Sequence, residues 1–399
     1  MEVSMFNGQE LNPEQALVFN HVMKTIESEE ELFLFVSGTA GTGKSFLIGA
    51  LVEKMSEFTK VCAPTAFAAK AIGGSTIHSL FNFDIHEKPE NDMNTIPSLP
   101  NLRLLIIDEI SQCGAELFDR IERRLRQVTN IDAPFGGCRV VLFGDLLQIP
   151  PVKQAPVFES LHWSRFSYKS LGINQRQSGD FEFAQMLGRW RFGNFDEADI
   201  QFLKAKVLMV DGKCLQSSRD ADLSELVDKF LSSYTPKSMI LSPINASATS
   251  FNNRASQKQY GESCVTVHSE VFKLQSGSYV KTMAPQFTVA IGGRMMITKN
   301  LPKFGLINGE FALVEDIFRT PGGETIHIDV VSEQTGRKCR LGRIPKVMDA
   351  VTYHNEFPLL PAFAATYHKA QGQTLEQVYL EVTPNMTPGL FFVGASKNR

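Results

Sequence analysis

Strand-sized apolar runs set between turn residues and helix-spaced segments organise this chain. "LFLFV" (Leu32–Val36) has no polar position and reads as a buried strand. "SGTAGTG" after it can only turn, and "KSFLIGALVEKM" then returns apolar residues at helical spacing, so the order is strand, glycine loop, helix. Similar runs end at Ile107, just before Asp108 and Glu109, and at Phe143, just before Gly144 and Asp145. Further along, Met239–Leu241 predicts a strand followed by a loop and a helix. "EFALVEDIFRT", "PGG" and "ETIHIDVVSEQTGRKCRLGRI" alternate as two or more strands with a turn between them. In "DRIERRLRQ" (Asp119–Gln127) the i,i+4 charge spacing around Glu122 predicts a solvated helix face.

With 399 residues, the chain has material for about two to three domains. Its 43% hydrophobic and 21% charged content is ordinary for a globular protein. No apolar run reaches the length of a membrane span, and the N-terminus "MEVSMFNGQELNPEQ" has neither a basic leader nor an Arg-rich amphipathic pattern. The expectation is a soluble intracellular protein, cytoplasmic or nuclear. The six cysteines are widely spaced with no CxxC pair, which predicts free thiols or core residues and no zinc site. A net charge of −3 means that any nucleic-acid binding must come from a local groove.

The glycine loop carries the first chemistry. Gly38, Gly41 and Gly43 let successive backbone N–H groups curl around phosphates, at the positive dipole end of the following helix. Thr39, Ala40 and Thr42 complete the loop; Lys44 would reach the β/γ oxygens and the Ser45 hydroxyl would ligate Mg2+. Asp108 and Glu109 stand at the carboxyl end of a strand, where ligands bind in open α/β sheets. Asp108 suits the metal and Glu109 suits a general base for water. No NKxD-type guanine reader is present, so water is the expected acceptor and a GTPase is not expected. Gln148, delivered by "FGDLLQIPPV", could feel the γ-phosphate.

"LNPEQ", "GTAGTGKS", "APTAFAAKAI", "GSTIHSLF", "IIDEIS", "FGDLLQIPPV", "LGINQRQ" and "ATYHKAQGQTL" follow one another in an order that resembles superfamily 1 DNA helicases of the PIF type, the 5′-to-3′ branch, with Dda and RecD helicases as relatives. The resemblance implies ATP as the nucleotide, Gln15 as adenine reader, Gln148 as γ-phosphate sensor and Arg176 as arginine finger, with Gly372 also at the nucleotide. It further implies that Thr65, Phe67, His78, Thr366, His368 and Gln371 line single-stranded DNA. An aromatic face such as Phe67 stacks on any base, so the grip is sequence-tolerant.

The architecture so implied is α/β: two RecA-like P-loop NTPase domains with mostly parallel sheets flanked by helices. Residues 1–170 form the first, with a short wedge insertion at 83–101. Residues 171–399 form the second, with a small SH3-like β-barrel insertion at about 309–357. The expected activity is ATP-dependent 5′-to-3′ unwinding of DNA by a monomer acting on single strands and single-strand/duplex junctions, with single-strand-binding or replication proteins as partners and no membrane. One departure stands out: in "GASKNR" the family arginine is replaced by Lys397, with Arg399 two places on, and a lysine lacks the bidentate fork. Either Lys397 or Arg399 then takes the arginine's place at the nucleotide; the alternative readings are an ATP- and DNA-binding remnant whose unwinding is lost through this altered end and, independently of it, an ATPase that remodels RNA or protein complexes.

Overall fold

The computed structural model describes residues 5–83, 102–151, 153–173, 181–210, 213–214, 220–275, 278–348, 351–371, 373 and 375–397. The chain divides into two compact units, Met1–Asn194 and Phe195–Arg399. The division falls beyond the residue-170 boundary read from the sequence. Strand Ser167–Leu171 pairs along Phe33–Gly38 in the first sheet, and the segment after it is tied to the same unit through Arg191 and Asp145.

In the first unit the elements run α1 (Pro13–Glu27), β1 (Phe33–Gly38), α2 (Lys44–Met55), β2 (Thr59–Ala63), α3 (Ala66–Ala71), β3 (Ser75–Thr76), α4 (Ile77–Phe81), β4 (Leu104–Ile107), α5 (Ala115–Thr129), β5 (Arg139–Gly144), β6 (Ser167–Leu171) and α6 (Phe181–Trp190). The strands form one six-stranded sheet in the order β3-β2-β4-β5-β1-β6, parallel at every pairing. A parallel sheet covered on both faces needs apolar residues at successive positions, and alternate residues here feed two separate cores. Leu34, Val36, Leu104, Ile106, Val141 and Phe143 pack with α1 and α2. Phe35, Leu105, Ile107, Val140 and Leu142 pack with α4 and α5.

Two sequence expectations change here. The basic helix α5 is not simply a solvated face: Glu122 and Arg124 are buried. The Glu122 carboxylate accepts from the Phe135 N–H at 3.3 Å, and the Arg124 guanidinium lies 5.5 Å from the centre of the Phe83 ring. Phe83, the first residue assigned to the wedge, is core and stacks on Phe81 at 5.6 Å. The remainder of the wedge, 84–101, lies outside the described residues.

The second unit begins with α7 (Glu197–Lys206), α8 (Asp220–Ser232), β7 (Ser238–Ser242) and α9 (Asn245–Tyr260). A run of strands follows: β8 (Val265–Gln275), β9 (Ser278–Val289), β10 (Arg294–Ile297), β11 (Phe311–Arg319), β12 (Thr325–Ser332), β13 (Lys338–Leu341), β14 (Ile344–Val347), β15 (Thr352–Glu356) and β16 (Leu359–Pro361). The chain ends with β17 (Ala364–Thr366), β18 (Gln377–Leu380) and α10 (Pro388–Ala395). A parallel three-stranded sheet, β17-β7-β18, carries a core shared with α8 and α9 through Val227, Phe230, Phe251 and Phe363.

The antiparallel part is larger than the insertion expected at about 309–357. It spans Val265–Pro361 as a five-stranded sheet, β13-β12-β11-β10-β16, and a four-stranded sheet, β9-β8-β15-β14. The hairpin β8/β9 belongs to it because β8 pairs with β15, Glu270 opposite Asn355 and Phe272 opposite Tyr353. Among the described residues no sheet closes into a barrel. Cys62, Cys113, Cys138 and Cys339 are buried free thiols and Cys264 is half-buried. No described helix is long and apolar enough to cross a membrane.

Candidate nucleotide and nucleic-acid site

The loop between β1 and α2 is closed by its own polar atoms. Thr42, fully buried, donates its hydroxyl to the Thr39 carbonyl at 2.9 Å. Gly43 takes the left-handed conformation, φ 79°, as the N-cap of α2 and offers no side chain to the helix N–H groups. Those groups stay available to an anion. A Cβ on Gly38 would lie 2.5 Å from Thr42 Oγ1, so the turn admits no side chain there. The Lys44 ammonium donates to the carbonyls of Gly38 at 2.8 Å and Thr39 at 3.1 Å, which folds it over the loop. Ser45, one position on, is exposed; Thr39, Ala40 and Gly41 are half-buried.

Gln15 braces this loop. It is buried at the third position of α1, in a reciprocal cap with Asn12: its backbone N–H reaches Asn12 Oδ1 at 2.9 Å, and its Oε1 accepts from the Asn12 N–H at 3.0 Å. Its Nε2 donates to the carbonyls of Thr42 and Gly43, each at 3.3 Å. Glu14 beside it was not singled out from the sequence. Its Oε2 accepts from the backbone N–H groups of Gly172 at 2.7 Å and Ile173 at 3.0 Å, which fixes the chain just before residues 174–180. Arg176 falls within that stretch and lies outside the described residues.

Asp108 and Glu109 follow β4, a strand paired to β5, which in turn pairs with β1. Asp108 is buried, and its carboxyl is pushed up to about 7, by burial first and by Glu109 second. The Lys44 charge and the Glu109 N–H, which donates to Asp108 Oδ1 at 2.9 Å, pull the other way. Glu109 sits at φ 51°, ψ 42°, a left-handed conformation uncommon outside glycine and asparagine. Its Oε2 is buried without a hydrogen-bond partner. A buried acceptor in that condition is costly unless something arrives to use it.

Gln148 is buried after β5. Its backbone N–H donates to the Asp145 carbonyl at 3.0 Å and its Nε2 to Asp145 Oδ2 at 3.4 Å. Asp145 is wholly buried and gripped by the Arg191 guanidinium. The sequence marks Asp145 only as following an apolar run and does not mark Arg191; no local pattern joins two residues so far apart in the chain.

The residues expected at DNA fall into both units. Thr65 caps α3 through Oγ1, which accepts from the Ala68 N–H at 3.3 Å, and Phe67 is half-buried. His78 is half-buried on α4 with its ring 6.5 Å from that of Phe83; burial, then Arg120, lowers its pKa. In the second unit Thr366 ends β17 and is buried, its carbonyl accepting from the Ala370 N–H at 3.1 Å, while His368 is exposed and Gln371 half-buried. Lys397 is buried, and its carbonyl accepts from the Leu375 N–H at 3.1 Å. Gly372 and Arg399 lie outside the described residues.

Residues 10–199 match the family described as PIF1-like helicase. The ATP-dependent DNA helicase PIF1 of Danio rerio is 27% identical over 98% of this chain, and the chain spans 60% of that relative's length. The ATP-dependent DNA helicase Pif1 of Bdellovibrio bacteriovorus is 28% identical over 98% of this chain and 86% of its own length. A solved structure of Bacteroides Pif1 helicase in complex with ADP-AlF3 and ssDNA is similar with a TM-score of 0.72 and 27% identity, covering 96% of this chain and 90% of that one. Motif order, fold and these similarities agree: the chain is similar to PIF1-like helicases, through the family match in its first half and through the relatives and the solved structure along nearly all of its length.

Proposed function

We propose that the chain uses ATP to move along single-stranded DNA in the 5′-to-3′ direction and to separate duplex at single-strand/duplex junctions, working as a monomer. One observation carries this reading: Lys44, folded over the glycine loop, and the buried Asp108 with the unpartnered Glu109 Oε2 beside it follow the carboxyl ends of interior strands of one parallel sheet. That is the chemistry of a nucleoside triphosphatase. The relatives' names and the ssDNA held by the Bacteroides protein favour DNA as the track.

The residues fit ATP with Mg2+. The uncapped start of α2, the Gly43 conformation and the orphaned Glu109 oxygen are features that a bound phosphate and water would satisfy. Ser45 and Asp108 would hold the metal, which when bound neutralises charge on the β/γ oxygens. Lys44 exchanges loop carbonyls for phosphate oxygens. Glu109 accepts the proton of the attacking water, and Gln148 reads the γ-phosphate. Gln15, fixed on the loop, meets adenine with the Oε1 lone pair that Asn12 leaves over. Arg176 steadies the charge developing at the γ-phosphate, with Lys397, Arg399 and Gly372 as further nucleotide contacts. Thr65, Phe67, His78, Thr366, His368 and Gln371 grip the strand.

A short duplex with a 5′ or a 3′ single-stranded tail tests the whole reading. Unwinding from the 5′ tail alone is expected; unwinding from the 3′ tail alone reverses the polarity, and none from either rejects the motor. Lys44→Ala should lower DNA-stimulated ATP turnover about 100-fold or more with an unchanged melting curve. Wild-type turnover in that variant would remove the glycine loop from the mechanism.

A further inference from the structure

Gln148 is held in place by a residue from the far end of the first unit. Asp145 has no exposed surface, and a buried carboxylate persists only if it is paired and hydrogen-bonded. Arg191 supplies both: Nε lies 3.1 Å from each carboxylate oxygen, and Nη2 also donates to Oδ1. The same two oxygens accept from the Leu147 N–H at 3.1 Å and from Gln148 Nε2 at 3.4 Å. One carboxylate therefore fixes the backbone and the side-chain amide of the loop that presents Gln148.

Arg191 stands where α6 ends and the chain leaves the first unit. Its own N–H donates to the Leu187 carbonyl at 3.1 Å. Phe192, Gly193 and Asn194 each return a backbone bond, to Arg189 at 3.0 Å, Trp190 at 3.0 Å and Arg189 at 3.1 Å. The unit ends at Asn194. The main chain around Arg191 is thus held by consecutive backbone hydrogen bonds, while its guanidinium is bound to Asp145.

We propose that Arg191 is a positioning residue: clamped on Asp145, it sets Gln148 for the γ-phosphate and ties that loop to the segment entering the second unit. This rests on the nucleotide reading above. Any shift of the Gln148 amide must carry Asp145 with it or break the bond between them, and Arg191 is bound to Asp145 on two sides. Lysine in its place keeps the charge but not the fork.

The test uses the full chain with Arg191→Gln, Arg191→Lys and the double variant Asp145→Asn with Arg191→Gln, which leaves no buried charge unpaired. Affinities for fluorescent ADP and for ATPγS are measured beside DNA-stimulated kcat and KM. In Arg191→Gln the ADP affinity should stay within about twofold, the preference for ATPγS over ADP should fall about fivefold, and kcat should fall about tenfold, with Arg191→Lys intermediate. The double variant should melt like the wild type yet keep the lost preference. Wild-type preference and kcat in Arg191→Gln overturn the proposal. So does an equal loss of both nucleotides that the double variant repairs, which is a purely structural role. A wild type that binds and discriminates both nucleotides but never unwinds defeats the helicase reading alone; one that binds neither defeats both.

Discussion

At the scale of single residues, Asp108 has the most consequential environment. Its carboxyl is raised to about 7 by burial and by Glu109, so between about pH 4 and 7 the folded state holds a proton that the unfolded chain has released. The stability this proton brings is present below the unfolded pKa and is lost as pH rises through the folded one. Without nucleotide and with metal chelated, the chain should be less stable at about pH 8 than at pH 5, by about 1–3 kcal/mol. Asp108→Asn should flatten that difference in thermal or urea melts, and an equally steep slope in the variant would place the titrating group elsewhere. Asp108 and Glu109 are legible in the sequence because an apolar run ends at them. The left-handed backbone of Glu109 is not, since neither glycine nor asparagine marks the position. The Arg191 grip on Asp145 is hidden as well, because a pair 46 residues apart leaves no periodic trace.

At the scale of elements, what reads from sequence depends on how completely an element is buried. β1, β4 and β5 are apolar at almost every position because helices cover both sheet faces, so their place in the chain is plain. The hairpin β8/β9 escapes: "VTVHSEVFKLQ" interleaves polar and apolar residues, and several of its large apolar side chains are exposed, Leu274, Tyr279 and Met283 among them. Joints between elements can rest on one side chain that no pattern announces. Asn252 of α9 is fully buried and donates Nδ2 to the Ala364 carbonyl at 2.9 Å, while its Oδ1 accepts from the Ala364 N–H at 2.8 Å. It copies a strand pairing and fastens α9 to β17, the strand that ends at Thr366. Asn252→Ala leaves a buried donor and a buried acceptor unsatisfied and should destabilise the second unit by about 2–4 kcal/mol. Urea unfolding measures this, and a change below about 0.5 kcal/mol would show that the two backbone groups find other partners.

At the scale of the whole molecule, the described residues proposed at the nucleotide fall in the first unit, Lys397 excepted, and part of the proposed strand grip falls in the second. Gln15, the glycine loop, Asp108, Glu109 and Gln148 all belong to the first unit, which has two hydrophobic cores of its own. Thr366, His368, Gln371 and Lys397 belong to the second, whose cores are made from its own strands and helices. A core that closes within a unit lets that unit fold alone. Residues 1–194 expressed by themselves should therefore melt cooperatively and bind ADP within about tenfold of the full chain's affinity, since the loop and its Gln15 brace are complete there. They should not unwind a tailed duplex, because a ratchet needs a second grip that changes with the nucleotide. Titrating ADP and the tailed duplex against fragment and full chain decides the matter. A fragment that unwinds would make the second unit dispensable to movement, and one that folds but binds no ADP would place an essential nucleotide contact beyond Asn194.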